Sequence, residues 1–113
     1  RTGGRFTTTT ALVAAVRAGD GEAQAVWLTS VQRLAAAIAS LVNVLDPERV
    51  ILGGGIAVHA WDVLIDPLQQ WLDAHEWRPD GTPTPIVAAR LGDEAGAIGA
   101  ARVAMVQVMP HAP

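Results

Sequence analysis

The sequence predicts an α/β fold, mostly helical, with two parallel strands. Three observations carry this expectation. Long stretches repeat apolar residues on a 3.6-residue period, as amphipathic helices do. Two short apolar runs, at 50–53 and 85–91, each follow a helical stretch. Half of the 113 residues are hydrophobic, which supplies a sizeable core. A strand–helix–strand unit is parallel and right-handed, with its helix packed on the sheet.

Residues 1–10 are polar and irregular. Thr9 or Thr10 is expected to cap a first helix, about residues 11–18, which Gly19 ends. Asp20 caps a second helix, about 21–45, and Glu22 favours the positive end of its dipole. In that helix Trp27, Val31, Leu34, Ile38, Leu41 and Leu45 recur at steps of four and three. They form one apolar stripe, widened by Leu28, Ala35 and Val42. Asp46-Pro47 stops the helix, because a residue before proline avoids the α region.

The strand at 50–53 runs into Gly53, Gly54 and Gly55. A helical pattern resumes from about Val58, with Trp61, Leu64, Ile65, Leu68, Trp71, Leu72 and His75 on one face. Asp66-Pro67 is expected to interrupt it, with Asp66 as a new cap and Pro67 at the first helical position. Residues 77–84 are turn chemistry. The second strand, 85–91, leads through Gly92 to a last helix, about 94–108, capped by Asp93. Pro110 begins a tail. The organisation is therefore an irregular segment at 1–10, one segment at 11–108 and a tail at 109–113. Two strands form a small sheet, and open edges invite pairing. Further strands are expected from sequence outside this chain or from another subunit, so a homo-oligomer is anticipated. The first residue, Arg1, agrees with a piece of something larger or a processed product.

Composition excludes several function classes. Net charge is -3, and the eight basic residues are all arginine and scattered, so no nucleic-acid patch is visible. Cysteine is absent, which excludes disulfides and thiolate metal sites. The longest apolar run, residues 34–45, is broken by Ser40 and Asn43 and is too short to span a bilayer. No signal-peptide pattern opens the chain.

The glycine triplet is the chief candidate site. Ligands of open α/β sheets sit outside the carboxyl ends of strands, and backbone without a Cβ admits a flat ligand or a phosphate closely. A tight strand-to-helix turn without ligand explains the same residues. A Walker A loop needs a lysine, and the chain has none. A Rossmann fingerprint beginning at Gly53 and Gly55 would meet Val58 at its third position. Gly96, Gly99 and Ala100 put small residues on the last helix, for which close packing is the expected reason. Asp93 and Glu94 oppose an anion there. His59, His75 and His111 lie in separate elements without a carboxylate at ligand spacing, so no metal site is expected. No nucleophile triad or acid/base pair is identifiable. The four tryptophans lie at helical spacings and read as core.

The stretch Leu41-Val42-Asn43-Val44-Leu45-Asp46-Pro47-Glu48-Arg49-Val50-Ile51-Leu52-Gly53-Gly54-Gly55-Ile56-Ala57 resembles the C-terminal half of the ROK family (repressors, open reading frames and sugar kinases). Three further stretches agree in order and spacing. They are Ala18-Gly19-Asp20, Ile65-Asp66-Pro67-Leu68, and Ala88-Ala89-Arg90-Leu91-Gly92-Asp93-Glu94-Ala95-Gly96-Ala97-Ile98-Gly99-Ala100-Ala101. The resemblance covers about residues 9–104. It implies the actin-like ATPase (ribonuclease H-like) fold, two α/β lobes flanking a cleft, with this chain as the distal part of the second lobe.

By that resemblance Gly53, Gly54 and Gly55 match an adenosine-contacting motif, with Ile56 and Ala57 bordering the adenine. Kinase members transfer the γ-phosphate of ATP to a hexose hydroxyl, with a carboxylate base and Mg²⁺ on the phosphates. The first phosphate loop, the sugar-contacting residues, the catalytic carboxylate and a Cys-rich zinc motif belong to the family's N-terminal part. No catalytic residue and no zinc ligand is therefore assigned here. The resemblance implies ATP with Mg²⁺ as cofactor, nucleotide and hexose as partners of the parent protein, a cytoplasmic location, and no membrane contact. The Thr-rich opening with the residues after it up to Asp20, and Glu76-Trp77-Arg78-Pro79, favour kinase-type over repressor members, and the chain resembles glucokinase-like ones. Two alternatives stand beside this: the sugar-sensing core of a ROK repressor, and a non-catalytic assembly module.

Overall fold

A computed structural model describes residues 4–109. In chain order the elements are α1 (Thr9–Arg17), α2 (Gly21–Leu45), β1 (Val50–Leu52), α3 (Gly55–His59), α4 (Trp61–His75), β2 (Ile86–Ala88), a 3-10 turn (Gly92–Glu94) and α5 (Ala95–Val108). The expected tail from Pro110, with His111, lies outside the described residues, as do residues 1–3.

Local chemistry sets the helix ends. Thr8, one residue earlier than expected, caps α1 by accepting from the Ala11 amide at 3.1 Å. At the other end Gly19 takes φ +83. The Gly19 and Asp20 amides there donate to Val16 and Ala15, which closes the carbonyls that a helix terminus leaves open. Asp20 caps α2 through the Ala23 amide at 2.9 Å. That bond, then the Arg5 guanidinium, holds its carboxyl below the ordinary range. Asp46 stops α2 in the left-handed region, φ 47.

The core is the seam between α2 and α4, with α1 against one end. Leu64, Leu68 and Leu72 of α4 meet Trp27, Val31, Ala35, Ile38, Ala39 and Val42 of α2. The buried stripe differs from the expected one, because Leu34, Leu41, Leu45 and Leu28 are exposed. Alanines 23, 35 and 39 occupy the inner face, which lets the two helices approach closely. As a whole α2 is long and apolar enough to cross a membrane by length and composition. Counting unbroken apolar residues missed this, since Ser40 and Asn43 do not end the helix. Its buried stripe against α4 makes it the core helix of this fold.

Pro67 does not interrupt α4. It lies inside the helix, while the break falls at Ala60, between α3 and α4. Proline lacks an N–H, so the carbonyl four residues earlier, Val63, loses its helical donor. The Trp27 indole N–H donates to that carbonyl at 2.8 Å. A tryptophan on α2 thus completes the hydrogen bonding of α4.

The strands are parallel, with Val50 opposite Ile86 and Leu52 opposite Ala88. Val50, Leu52 and Ile86 pack on the helical core, whereas Ile51 and Val87 face away and are exposed. This is the two-residue alternation of a strand. The second strand is shorter than its apolar run. Ala89 donates one more bond to Leu52 at 2.8 Å, and the chain then turns. Asp93 does not cap α5, which begins after a 3-10 turn without a side-chain cap. All residues of α5 are exposed, and a Cβ on Gly96 or Gly99 would meet nothing within 4 Å. The close packing expected of its small residues is therefore not made among the described residues. Trp77 is likewise exposed rather than core.

The crossover to β2 is fastened by Glu76. Its side chain is only 3 % exposed. It accepts from the Thr84 amide and hydroxyl and from Arg78. Burial alone would push this carboxyl up, but the Thr84 and Arg78 bonds together outweigh it and hold the group below its ordinary value.

Three outcomes test this architecture. Leu68 is fully buried, so Leu68→Ala should cost about 2–5 kcal/mol in urea unfolding. Trp27→Phe strands the Val63 carbonyl and should cost about 1–3 kcal/mol. That loss should shrink in a Pro67→Ala background, where a backbone N–H is restored. Additive losses in the double-mutant cycle would break the link. A depressed folded-state value means that Glu76 contributes stability above its ordinary 4.5 and loses it as pH falls through the lower folded value. Denaturation midpoints followed downward from pH 5 should fall less steeply in Glu76→Gln than in the parent sequence.

Candidate nucleotide site

Because β1 and β2 are parallel and in register, the segments that follow them emerge side by side. Gly53 follows Leu52, and Ala89 follows its partner Ala88. A Cβ on Gly53 would lie 3.3 Å from the Ala89 Cβ, tighter than ordinary contact. Gly54 has φ +88, a conformation that side chains rarely adopt, and its carbonyl accepts the Val58 amide at 3.0 Å. Both glycines are explained by the turn itself. Gly55 is not. It is the first residue of α3, carries no positive φ, and a Cβ there would meet nothing within 4 Å.

Gly55 opens on a concavity of about 520 Å³ between α1 and α3. Thr9, Thr10, Val13 and Arg17 line it from α1; Gly55, Ile56, His59 and Ala60 line it from the other side. Of the two residues expected to border a ligand, Ile56 is 49 % exposed and faces this space. Ala57 is 5 % exposed and points into the protein. Its contribution to any surface is therefore its backbone. A turn of the helix brings Ile56 and His59 to the exposed side and Ala57 to the buried side.

Charged groups fix the floor of this region. Arg17 donates through Nε and Nη2 to the two Asp62 carboxylate oxygens at 2.9 and 2.6 Å, and through Nη2 to the His59 carbonyl at 2.7 Å. The fork thereby ties α1, α3 and α4 together. The guanidinium bond holds the Asp62 carboxyl below its ordinary range. His59 Nε2 lies 3.1 Å from the Asp93 carboxylate across the mouth of the strands. Sequence spacing did not anticipate that carboxylate partner, since 34 residues separate the two. Arg17, Thr9 and Thr10 were also missed as neighbours of the glycines. No local pattern marks them, because the packing of α1 on the α2 and α4 core brings them there. His75 is a helix-face residue, as expected, stacked on Trp71 at 3.7 Å between ring centroids.

A second concavity, about 470 Å³, lies between the end of α2 and residues 76–85. It lies at the amino ends of the strands, opposite the glycines, and Glu76, Arg78 and Thr84 of its wall are bonded to one another. Among the described residues there is no group of three or more His, Asp or Glu side chains that could hold a metal ion.

Comparison with known proteins places this geometry in context. The chain matches the ROK family over residues 3–107. It is 41 % identical over 92 residues to the bifunctional enzyme NanE/NanK of Brucella melitensis, covering 80 % of this chain and 16 % of that protein. It is 37 % identical over 73 residues to a glucokinase of Streptomyces coelicolor, covering 61 % of this chain and 22 % of the relative. The crystal structure of a ROK hexokinase from Thermus thermophilus superposes with a TM-score of 0.63 at 34 % identity, over 89 % of this chain and 34 % of that one. The chain thus spans between about a sixth and a third of the length of these relatives. With its parallel strands, helical cover and matched family segment, the chain belongs to the ROK family and carries part of its actin-like ATPase fold.

Proposed function

We propose that this chain is the nucleotide-side C-terminal segment of an ATP-dependent, glucokinase-like hexose kinase, with Gly53, Gly54, Gly55, Ile56 and Ala57 as its adenosine loop. One observation carries the site: Gly55 sits at the carboxyl end of β1, beside a concavity, with open space where a Cβ would stand. The turn does not require that glycine, whereas close approach of a flat ring to the backbone does. The sugar-kinase character of the relatives supports the phosphoryl-transfer chemistry of the parent.

In this reading the parts of the chain divide the work. Gly55 and the exposed Ile56 side chain offer an apolar surface for the purine. Gly53 and Gly54 shape the turn that delivers them. The Arg17 fork holds α3 in place from below. The residues fit the adenosine portion of ATP. Nothing among them gathers carboxylates for Mg²⁺, so phosphates, metal and hexose fall to other parts of the parent. The chain by itself then binds nucleotide and transfers no phosphate. Homo-oligomerisation and a cytoplasmic location belong to the same reading of the parent.

Calorimetric titration with Mg-ADP tests the loop. Gly54→Val is a poor probe, because its positive φ strains any side chain. Gly55→Leu is the better one, since its space is open and its backbone ordinary. The expected result is binding by the parent sequence and at least a tenfold loss in Gly55→Leu, about 1.4 kcal/mol, at unchanged thermal midpoint. Equal binding by both would return the triplet to a plain turn.

A further inference from the structure

The helix that carries Gly55 and Ile56 is only five residues long. A helix this short does not sustain itself, since nucleation is costly and few bonds repay it. Its own ladder includes Val58 to the Gly54 carbonyl at 3.0 Å and Ala60 to the Ile56 carbonyl at 2.9 Å. Arg17 secures its last carbonyl from the α1 side. On the opposite side, facing the segment after β2, the described residues provide one side-chain bond, between His59 and Asp93. It spans the two loops that leave the carboxyl ends of the parallel strands.

We infer that His59 and Asp93 form a clasp that positions α3 for nucleotide: Asp93, which does not line the concavity, is a positioning residue acting through His59, whose side chain also borders it. This rests on the reading of residues 53–57 as the adenosine loop. Asp93 sits in a 3-10 turn without a cap of its own, where it accepts a bond from an imidazole rather than from the α5 amides. Both side chains are about two-thirds exposed, 66 and 63 %, so neither contributes core packing. The contact therefore acts on local order rather than on global stability. Gly54 and Gly55 next to it leave the backbone unusually free, so a tether at His59, one turn on, restricts the residues that need it. The charged groups around His59 come from three elements: Arg17 on α1, Asp62 on α4 paired with Arg17, and Asp93 after β2.

The test combines amide hydrogen exchange at Val58 and Ala60 with Mg-ADP titration, in the parent sequence, His59→Ala, His59→Gln, Asp93→Ala and the double alanine variant. The clasp predicts faster exchange in either alanine variant and a loss of affinity of about two- to fivefold, the range of an exposed pair. The double variant should be no worse than His59→Ala, and His59→Gln, which keeps a donor, should recover most of the loss in exchange. Thermal midpoints should stay unchanged throughout. Unaltered exchange in the alanine variants would overturn the clasp whatever the nucleotide does. Faster exchange with unaltered affinity would overturn its positioning role. Faster exchange with no Mg-ADP binding by any form, the parent sequence included, would instead remove the adenosine reading, and the positioning role with it, while the clasp itself stood.

Discussion

The seam between α2 and α4 is the constraint on which the rest of this chain depends. A two-stranded sheet has little area of its own, and here it rests on that seam through Val50, Leu52 and Ile86. The seam is close because α2 turns alanines inward, and it is completed by one polar contact. Pro67 removes a donor from α4, and the Trp27 indole replaces it at the Val63 carbonyl. A buried carbonyl without a partner costs as much as several well-packed methylenes. The same bond fixes the axial register of α2 on α4, since only one placement of the indole reaches Val63. Apolar packing alone tolerates sliding by a turn; a directional bond does not.

Much of this was legible in the residues. The second helix spans the stretch that Asp20 and Asp46-Pro47 delimit, and the first strand sits at Val50 to Leu52. Parallel pairing followed from the strand–helix–strand order. On α2 the expected Trp27, Val31, Ala35, Ile38 and Val42 are buried, but Leu28, Leu34, Leu41 and Leu45 are not, because periodicity weights large apolar residues. Leu34 and Leu41 are larger than Ala35 and Val42, yet the smaller residues face α4. Which side of an apolar helix is buried depends on the partner's shape, and a single sequence does not contain that shape. Pro67 was misread for a related reason, since its local preference for a helix start was overridden by a donor 40 positions away in the chain. Thr8 rather than Thr9 as the cap lies within the ordinary uncertainty of helix ends.

The candidate site shows the same division between local and distant causes. The glycine triplet was visible because glycine in a row is unusual, yet its three members have three different reasons. Gly53 yields to Ala89, Gly54 supplies a positive φ, and Gly55 leaves space. Only the last is left unexplained by the turn, and spacing does not separate it from the other two. Arg17, His59 and Asp93 were illegible as neighbours because three separate elements bring them together. Their types were visible, but not their meeting.

The placement of this region at the ends of the strands has a further physical consequence. The two walls of the concavity are held differently: the sheet register sets where α3 begins, and Arg17 bridges α1, α3 and α4. A change in the packing of α1 would thus move Thr9, Thr10 and the end of α3 together, because the arginine fork couples them. Removing the fork would free α3 from α1 without disturbing the sheet, since Leu52 and Ala88 keep their ladder. The glycines would keep their turn and α1 its packing on the core, but the two walls of the concavity would no longer be tied to each other. Loop shape and wall position are therefore separable in this fold. The first is written in the backbone at Gly53 and Gly54, and the second in a side-chain network that starts far earlier in the chain, at Arg17.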